Sequence, residues 1–147
     1  MEIFSVNECT FIPIICLDIE GIKFLRSIDD EDAQKYMTAM IERSIKDPFD
    51  ELSYLVKRND IPIGYIAATD IGDYNVIIDI AIHIYYRRKG YATEITKIFC
   101  EHLKKEVNEI YAHVDKENEI SQRLMKKVGF KKTQTEKGYP LILYRRR

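Results

Sequence analysis

The sequence predicts a mixed α/β fold in one domain that spans residues 1–147. Two observations predict it. Strand-like segments joined by short turns fill the first half of the chain after a helical stretch, and the second half alternates strand, helix, strand and helix. A chain of this length buries about 68–70% of its unfolded surface, which is enough for one hydrophobic core.

Composition excludes several classes of protein. Apolar residues make up 46% of the chain, and the net charge of −1 argues against a general nucleic-acid or anionic-membrane binder. Cys9, Cys16 and Cys100 show no C-x-x-C spacing, which favours a reduced cytoplasmic protein over a disulfide scaffold or zinc site. No apolar run reaches the roughly 20 residues of a membrane span. We expect a cytoplasmic monomer or homodimer without a metal, a nucleic-acid partner or a membrane.

The first half of the chain begins with an apolar segment and a helix. Phe11–Leu17 is interpreted as a strand or as a buried segment leading into the first helix. Asp29–Asp32 is typical of an acidic first helical turn, and apolar residues recur at helical spacing from Ala33 to Ile45. Asp47-Pro48 ends that helix.

Three strands follow. Glu51–Arg58 and Ile63–Thr69 are joined by a turn at Asn59–Pro62, and Asp70–Asp73 makes the next turn. Val76–Tyr86 is the longest strand. Its isoleucine content predicts a central strand that is buried on both faces.

The remaining elements alternate. A helix with an apolar stripe at Ala92, Ile95, Phe99 and Leu103 leads to the strand Glu109–Asp115, which a right-handed crossover places parallel to Val76–Tyr86. The last helix runs over Asn118–Val128. The chain closes with two strands, at Phe130–Thr135 and Pro140–Arg145, joined by Glu136–Gly138.

The basic turn Arg87–Ala92 is the most informative motif. It joins a strand to a helix, where unpaired backbone N–H groups and the helix dipole favour an anion. Gly90 allows close backbone approach, and Arg87, Arg88 and Lys89 add full charges. The turn therefore suits a phosphate or pyrophosphate. A charged, solvated helix start is the alternative interpretation.

A second motif lies downstream. Asn118-x-x-Ser121-x-x-Leu124 follows a strand, and Gly129-Phe130 ends the helix it opens. Asn118 is a candidate N-cap and Gly129 a candidate C-terminal stop.

In this order and spacing, the two motifs resemble the GNAT superfamily of N-acetyltransferases. The resemblance is close over Asp79–Phe130, extends to Glu51–Tyr74 as a pattern and is loose before that. It implies a GNAT-like mixed, mostly antiparallel sheet with a splayed central parallel strand pair and helices on both faces.

The resemblance also implies a cosubstrate, acetyl-CoA, whose acetyl group passes to a primary amine of a small molecule or peptide. The Ile82 N–H would polarise the thioester carbonyl, and Asn118 would reach the pantetheine, cap its helix, or do both. The residues that match the cofactor site are Ile80, Ala81, Ile82, Arg87, Arg88, Lys89, Gly90, Tyr91, Ala92, Thr93 and Asn118.

The acceptor amine must lose a proton, so a catalytic base is expected. His113 occupies the position where ribosomal-protein N-terminal acetyltransferases carry a glutamate, and an imidazole titrates near neutral pH. Strand alternation puts it on one face with Tyr111 and Asp115. Asp79 is the second candidate, because a carboxylate inside an apolar strand must face a cleft or be hydrogen-bonded. His83 is the third.

Met125 stands where many family members carry a tyrosine that protonates the CoA thiolate. Tyr91 and Tyr139 are candidate substitutes. Two other functions stay open at this point. One is a CoA-binding sensor that has lost acyl transfer, and the other is a transferase that uses another acyl-CoA.

Overall fold

The computed structural model describes residues 2–28, 38–39, 41–43, 45–46, 51–133 and 141–146. The strands are β1 (Phe4–Val6), β2 (Cys9–Pro13), β3 (Glu51–Arg58), β4 (Ile61–Gly72), β5 (Asn75–Ile82), β6 (Glu109–Asp115), β7 (Lys131–Lys132) and β8 (Leu141–Arg146). Three helices have both ends within the described residues: α1 (Ile19–Arg26), α2 (Tyr91–Leu103) and α3 (Glu119–Val128). These strands form one sheet in the order β1-β2-β3-β4-β5-β6-β8-β7.

Helices cover both faces of the sheet, as predicted. On one face, α2 and α3 pack on the larger core, to which β5 contributes Val76, Ile78 and Ile82. On the other face, α1 packs on a smaller core that includes Leu55 and Tyr65. The alternation of side chains along each strand distributes them between these two cores.

The parallel pair β5–β6 is short and open at one end. Its register runs through Asn75–Glu109, Val76–Ile110 and Ile77–Tyr111, and then pairing stops. Beyond that point β5 continues to Ile82 and β6 continues to Asp115 without pairing to each other. The other strand pairs described are antiparallel. The predicted splayed pair is therefore present, and we call the opening between the two strands the fork.

The predicted strand Val76–Tyr86 is too long. β5 ends at Ile82, and Ile84–Tyr86 forms a short 3-10 turn. His83 caps that turn, because its Nδ1 accepts a hydrogen bond from the Tyr85 N–H. The prediction of two buried faces is wrong as well. Asp79 is exposed, although Ala81, on the same face of β5, packs against the smaller core.

The N-terminal hairpin was not predicted. β1 pairs with β2, which in turn pairs with β3. Phe11–Leu17 contributes only its first residues to a strand, and Ile14–Cys16 forms a 3-10 turn before α1. β1 has only three residues, which is too short for an apolar alternation to predict a strand.

Other predictions hold with changed bounds. Glu51–Arg58 and Glu109–Asp115 match β3 and β6, whereas β4 is longer at both ends than Ile63–Thr69 because Pro62 and Gly72 still pair with neighbouring strands. In the predicted helix of residues 33–45, the described positions 38–39, 41–43 and 45 are helical. Asp29–Asp32, Asp47-Pro48 and Glu136–Gly138 lie outside the described residues. No helix in the described ranges has the length and apolar character that crossing a bilayer requires.

Candidate active site at the fork

The backbone of β5 presents hydrogen-bonding groups to the fork. The His83 N–H donates to the Ile63 oxygen at 2.8 Å, which fixes the phase of the β4–β5 ladder. Hydrogen-bonded and non-hydrogen-bonded pairs alternate along such a ladder, so Ile80 and Ile82 direct their backbone groups away from β4. The Ile82 oxygen accepts a hydrogen bond from Arg87 Nε at 2.8 Å. The Ile82 N–H is thus left directed at the fork.

Ala81 has a different orientation from its two neighbours. It pairs with Tyr65 on β4, and the phase of the ladder turns its backbone toward that strand. Its side chain packs against the smaller core on the α1 face. Of the three predicted backbone contacts, Ile80 and Ile82 face the fork and Ala81 faces away from it.

The basic turn lies directly beyond the end of β5. Arg88 and Gly90 have φ values of 64° and 81°, in the left-handed region that favours glycine. Gly90 is the N-cap of α2 and provides no side-chain capping bond. The N–H groups of Tyr91, Ala92 and Thr93 therefore open the helix without a side-chain cap.

Space around Gly90 is open. Among the described residues, apart from Gly90 and its neighbours along the chain, no heavy atom lies within 4 Å of the position that a Cβ would occupy there. The glycine is explained by its positive φ and not by a close protein neighbour. Arg88 and Lys89 are exposed beside it, so the first turn of α2 is bordered by positive charge.

Asn118 opens α3 at the end of β6. Its Oδ1 accepts a hydrogen bond from the Ser121 N–H at 3.0 Å, so the predicted cap is present. The Asn118 N–H donates to the Asp115 oxygen at 3.0 Å. The side-chain amide N–H groups remain as donors for a ligand at the mouth of the fork.

Asp79 and His113 lie on the α1 side of the sheet. Both are exposed, and the β5–β6 register, if continued past Ile77–Tyr111, would place them opposite each other. Tyr65 donates a hydrogen bond from its hydroxyl to Asp79 Oδ2 at 2.9 Å. Two groups able to accept a proton therefore flank the opening.

Tyr111 lies at the base of the fork. Its hydroxyl donates to the Glu109 carboxylate. This hydrogen bond, together with burial, raises the pKa of Tyr111. The phenol consequently stays protonated at neutral pH and is not a base.

The remaining catalytic candidates are placed elsewhere. The His83 ring stacks on Phe24 with a centroid distance of 5.6 Å, and its Nδ1 is used in the turn. Met125 is buried in the larger core, and its thioether has no proton to donate. Tyr139 lies outside the described residues.

Sequence reasoning missed two residues around the site. Tyr65 holds Asp79, and Arg58 lies over the ring of Tyr91 at 4.8 Å from its centroid. Neither belongs to a motif, and both contacts join residues that are far apart in sequence. The alternation of side chains places Tyr65 on the same face as Asp79 once the register between β4 and β5 is known. No comparable pattern marks Arg58. Within the described part of the chain, no group of three or more His, Cys, Asp or Glu residues is arranged to hold a metal ion.

Solved structures of acetyltransferases share this fold. PseH from Campylobacter jejuni, an N-acetyltransferase in complex with acetyl coenzyme A, has a TM-score of 0.71 at 19% identity over 93% of this chain and 96% of that one. A Salmonella typhimurium acetyl transferase that modifies the N-terminal serine of ribosomal protein L7/L12 has a TM-score of 0.74 at 11% identity over 99% and 98%. A spermidine N-acetyltransferase SpeG chimera from Vibrio cholerae and hSSAT has a TM-score of 0.74 at 18% identity over 95% and 93%.

The sequence itself matches no curated protein. It does match the family model described as acetyltransferase (GNAT) domain over residues 15–131, which is most of the chain. The chain therefore belongs to the GNAT acetyltransferase family.

Proposed function

We propose that this protein, as a single domain over residues 1–147, transfers the acetyl group of acetyl-CoA to a primary amine of a small molecule or peptide. The observation that carries the proposal is the parting of β5 and β6 in front of a helix whose N-terminus has no side-chain cap. The fork offers backbone groups to an extended ligand, and the helix start suits its phosphates.

The chain's own groups fit such a ligand at two places. The N–H groups of Tyr91, Ala92 and Thr93, with Arg88 and Lys89 beside them, would hold the pyrophosphate. Ile80, Ile82 and Asn118 would contact the pantetheine along the fork. Arg87 would act indirectly, because it is bonded to the Ile82 oxygen.

Bound acetyl-CoA supplies an activated acyl group. The Ile82 N–H is a donor for the thioester oxygen, because the phase of the β4–β5 ladder directs it away from β4. Asp79 and His113 flank the opening from the α1 side, where an amine can approach. We propose that one of these two side chains acts as the base that takes the proton from the acceptor amine. Tyr65 holds Asp79 in place for that role.

A CoA-binding sensor without transferase activity is the second candidate. The observation that favours it is Met125 itself, a side chain without an acidic proton at the position where a catalytic tyrosine is common in the family. The loss is tolerable for an enzyme, because a thiol with a pKa near 8.5 gains only about 2 kcal/mol from protonation at pH 7. We therefore favour the enzyme.

Release of free thiol from acetyl-CoA tests the proposal. The amine panel includes spermidine and a peptide with an N-terminal serine, because structural neighbours are named for these two substrates. We expect thiol release that depends on an amine, with the acetylated product seen by mass spectrometry. Propionyl-CoA and succinyl-CoA in parallel establish the acyl preference.

The outcomes are distinct. Tight binding of acetyl-CoA without thiol release across the panel would support the sensor. Absence of binding would contradict both candidates. In its cellular setting, we place the reaction in the cytoplasm and expect no nucleic-acid or membrane partner, given the net charge of −1.

A further inference from the structure

The first turn of α2 carries a carboxylate beside the proposed pyrophosphate site. Glu94 is the acidic residue of that turn, and one third of its side chain is exposed. A carboxylate near a helix N-terminus stabilises the free helix through the dipole. It also repels an anion that binds the same N–H groups. Unless Glu94 is compensated, it weakens the site.

Arg58 lies against this carboxylate from the end of β3. Its Nε is 3.7 Å from Glu94 Oε1, which is an ion-pair distance but too long for a hydrogen bond. Its guanidinium lies over the ring of Tyr91, the first residue of α2, at a distance suited to a cation–π contact. A second ion pair, 2.9 Å long, joins Arg58 to Glu8. The guanidinium is thus held between the strands and the helix.

Cys9 adds a hydrogen bond to the same carboxylate. Its Sγ donates to Glu94 Oε1 at 3.0 Å, and its side chain is fully buried. Burial, followed by the hydrogen bond to Glu94, raises the pKa of Cys9 to about 12. The thiol therefore stays protonated at neutral pH and acts as a donor. Glu94 receives one hydrogen-bond donor and one positive charge, both from strands distant in sequence.

We propose that Arg58 is a positioning residue for the cofactor, and that it makes the first turn of α2 acceptable to a pyrophosphate by neutralising Glu94. Its contacts run to Glu8, Glu94 and Tyr91, so it acts through the helix and not by touching phosphate. The inference rests on the proposed function, because it requires acetyl-CoA at the start of α2.

A double-mutant cycle tests this role. Arg58→Met removes the charge and keeps an unbranched side chain. We expect it to raise the Kd for acetyl-CoA about five- to tenfold in calorimetry, the effect of one uncompensated charge several ångströms from a dianion. Glu94→Gln alone should leave the Kd unchanged or lower it. The double variant should return to within about twofold of the wild type, because no carboxylate is left to compensate.

Salt and a second substitution sharpen the test. The difference in Kd between Arg58→Met and the wild type should shrink as the salt concentration rises from about 0.05 to about 0.5 M, because salt screens electrostatic effects over this range. Arg58→Lys should bind nearly like the wild type, because it keeps the charge. This variant still decides the question if Arg58→Met does not fold. The matched control is the exposed pair Lys23–Glu20 on α1, where the same cycle should leave the Kd unchanged.

Three results would overturn the proposal. A double variant as weak as Arg58→Met would mean that Arg58 acts by its own contacts. Wild-type affinity in Arg58→Met would mean that Glu94 needs no compensation. Weak binding by Arg58→Lys would mean that charge is not the property required. If the wild type itself fails to bind acetyl-CoA, the proposed function is wrong, whereas binding without coupling refutes only the role of Arg58.

Discussion

The two ends of the proposed site are built in different ways. The cofactor end is made largely of consecutive residues, because the turn Arg87–Gly90 leads directly into α2. The acceptor side combines Tyr65, Asp79 and His113 from three strands. Backbone groups dominate the first region and side chains dominate the second. A backbone site is fixed by local conformation, whereas a side-chain site depends on strand register.

The largest expected effect concerns the acceptor side. If Asp79 is the base, Asp79→Asn should slow turnover by about 10²–10⁴-fold, the usual range for general acid–base catalysis. If His113 is the base, His113→Ala and His113→Gln should both slow turnover by the same range, because neither alanine nor glutamine takes up a proton. Steady-state rates with saturating acetyl-CoA measure the effect. The affinity for acetyl-CoA should change little in all three variants.

Tyr65→Phe provides the check on this assignment. It keeps the ring and removes only the hydrogen bond to Asp79. With Asp79 as base, it should slow turnover, because the carboxylate loses the hydrogen bond that orients it. Unchanged turnover in Tyr65→Phe, with Asp79→Asn fully active, would assign the proton to His113. If none of these variants matters, the amine loses its proton to bulk water.

The next effect concerns the cofactor end. Gly90→Glu should weaken acetyl-CoA binding by about 100-fold, since it adds like charge and forces a side chain into a left-handed conformation. Calorimetry measures the change. Gly72→Glu is the matched control, because Gly72 also has a positive φ, of 92°, and open space around it. Equal affinity of Gly90→Glu and the control variant would contradict the cofactor assignment.

The smallest effect separates capping from ligand contact. Asn118→Ala should cost about 1 kcal/mol of stability through the lost cap, seen as a fall in Tm, and should also weaken acetyl-CoA binding a few-fold. Asp18→Ala is the matched control. Asp18 caps α1 by accepting a hydrogen bond from the Gly21 N–H at 2.8 Å. If both variants lose stability and neither loses affinity, Asn118 is only a cap.

The same contrast explains what the sequence predicted. The cap at Asn118, the helix stop at Gly129 and the bounds of β6 all follow from short-range rules, and each is present. The end of β5 at Ile82 was missed, because isoleucines continue the strand pattern into a 3-10 turn that only the His83 cap reveals. Arg58 could not be predicted either. Its partners Glu8, Glu94 and Tyr91 come together only when the hairpin β1–β2 is placed beside α2.

The fork has a consequence for solubility. An unpaired strand edge normally invites pairing with other chains, and this protein has two such edges facing each other. Adjacent strands lie about 4.8 Å apart, so one inserted strand needs a gap of roughly twice that width. The three residue pairs from Asn75–Glu109 to Ile77–Tyr111 close one end, so the unpaired edges are limited to the ends of β5 and β6. Edges this short offer little for another chain to pair with.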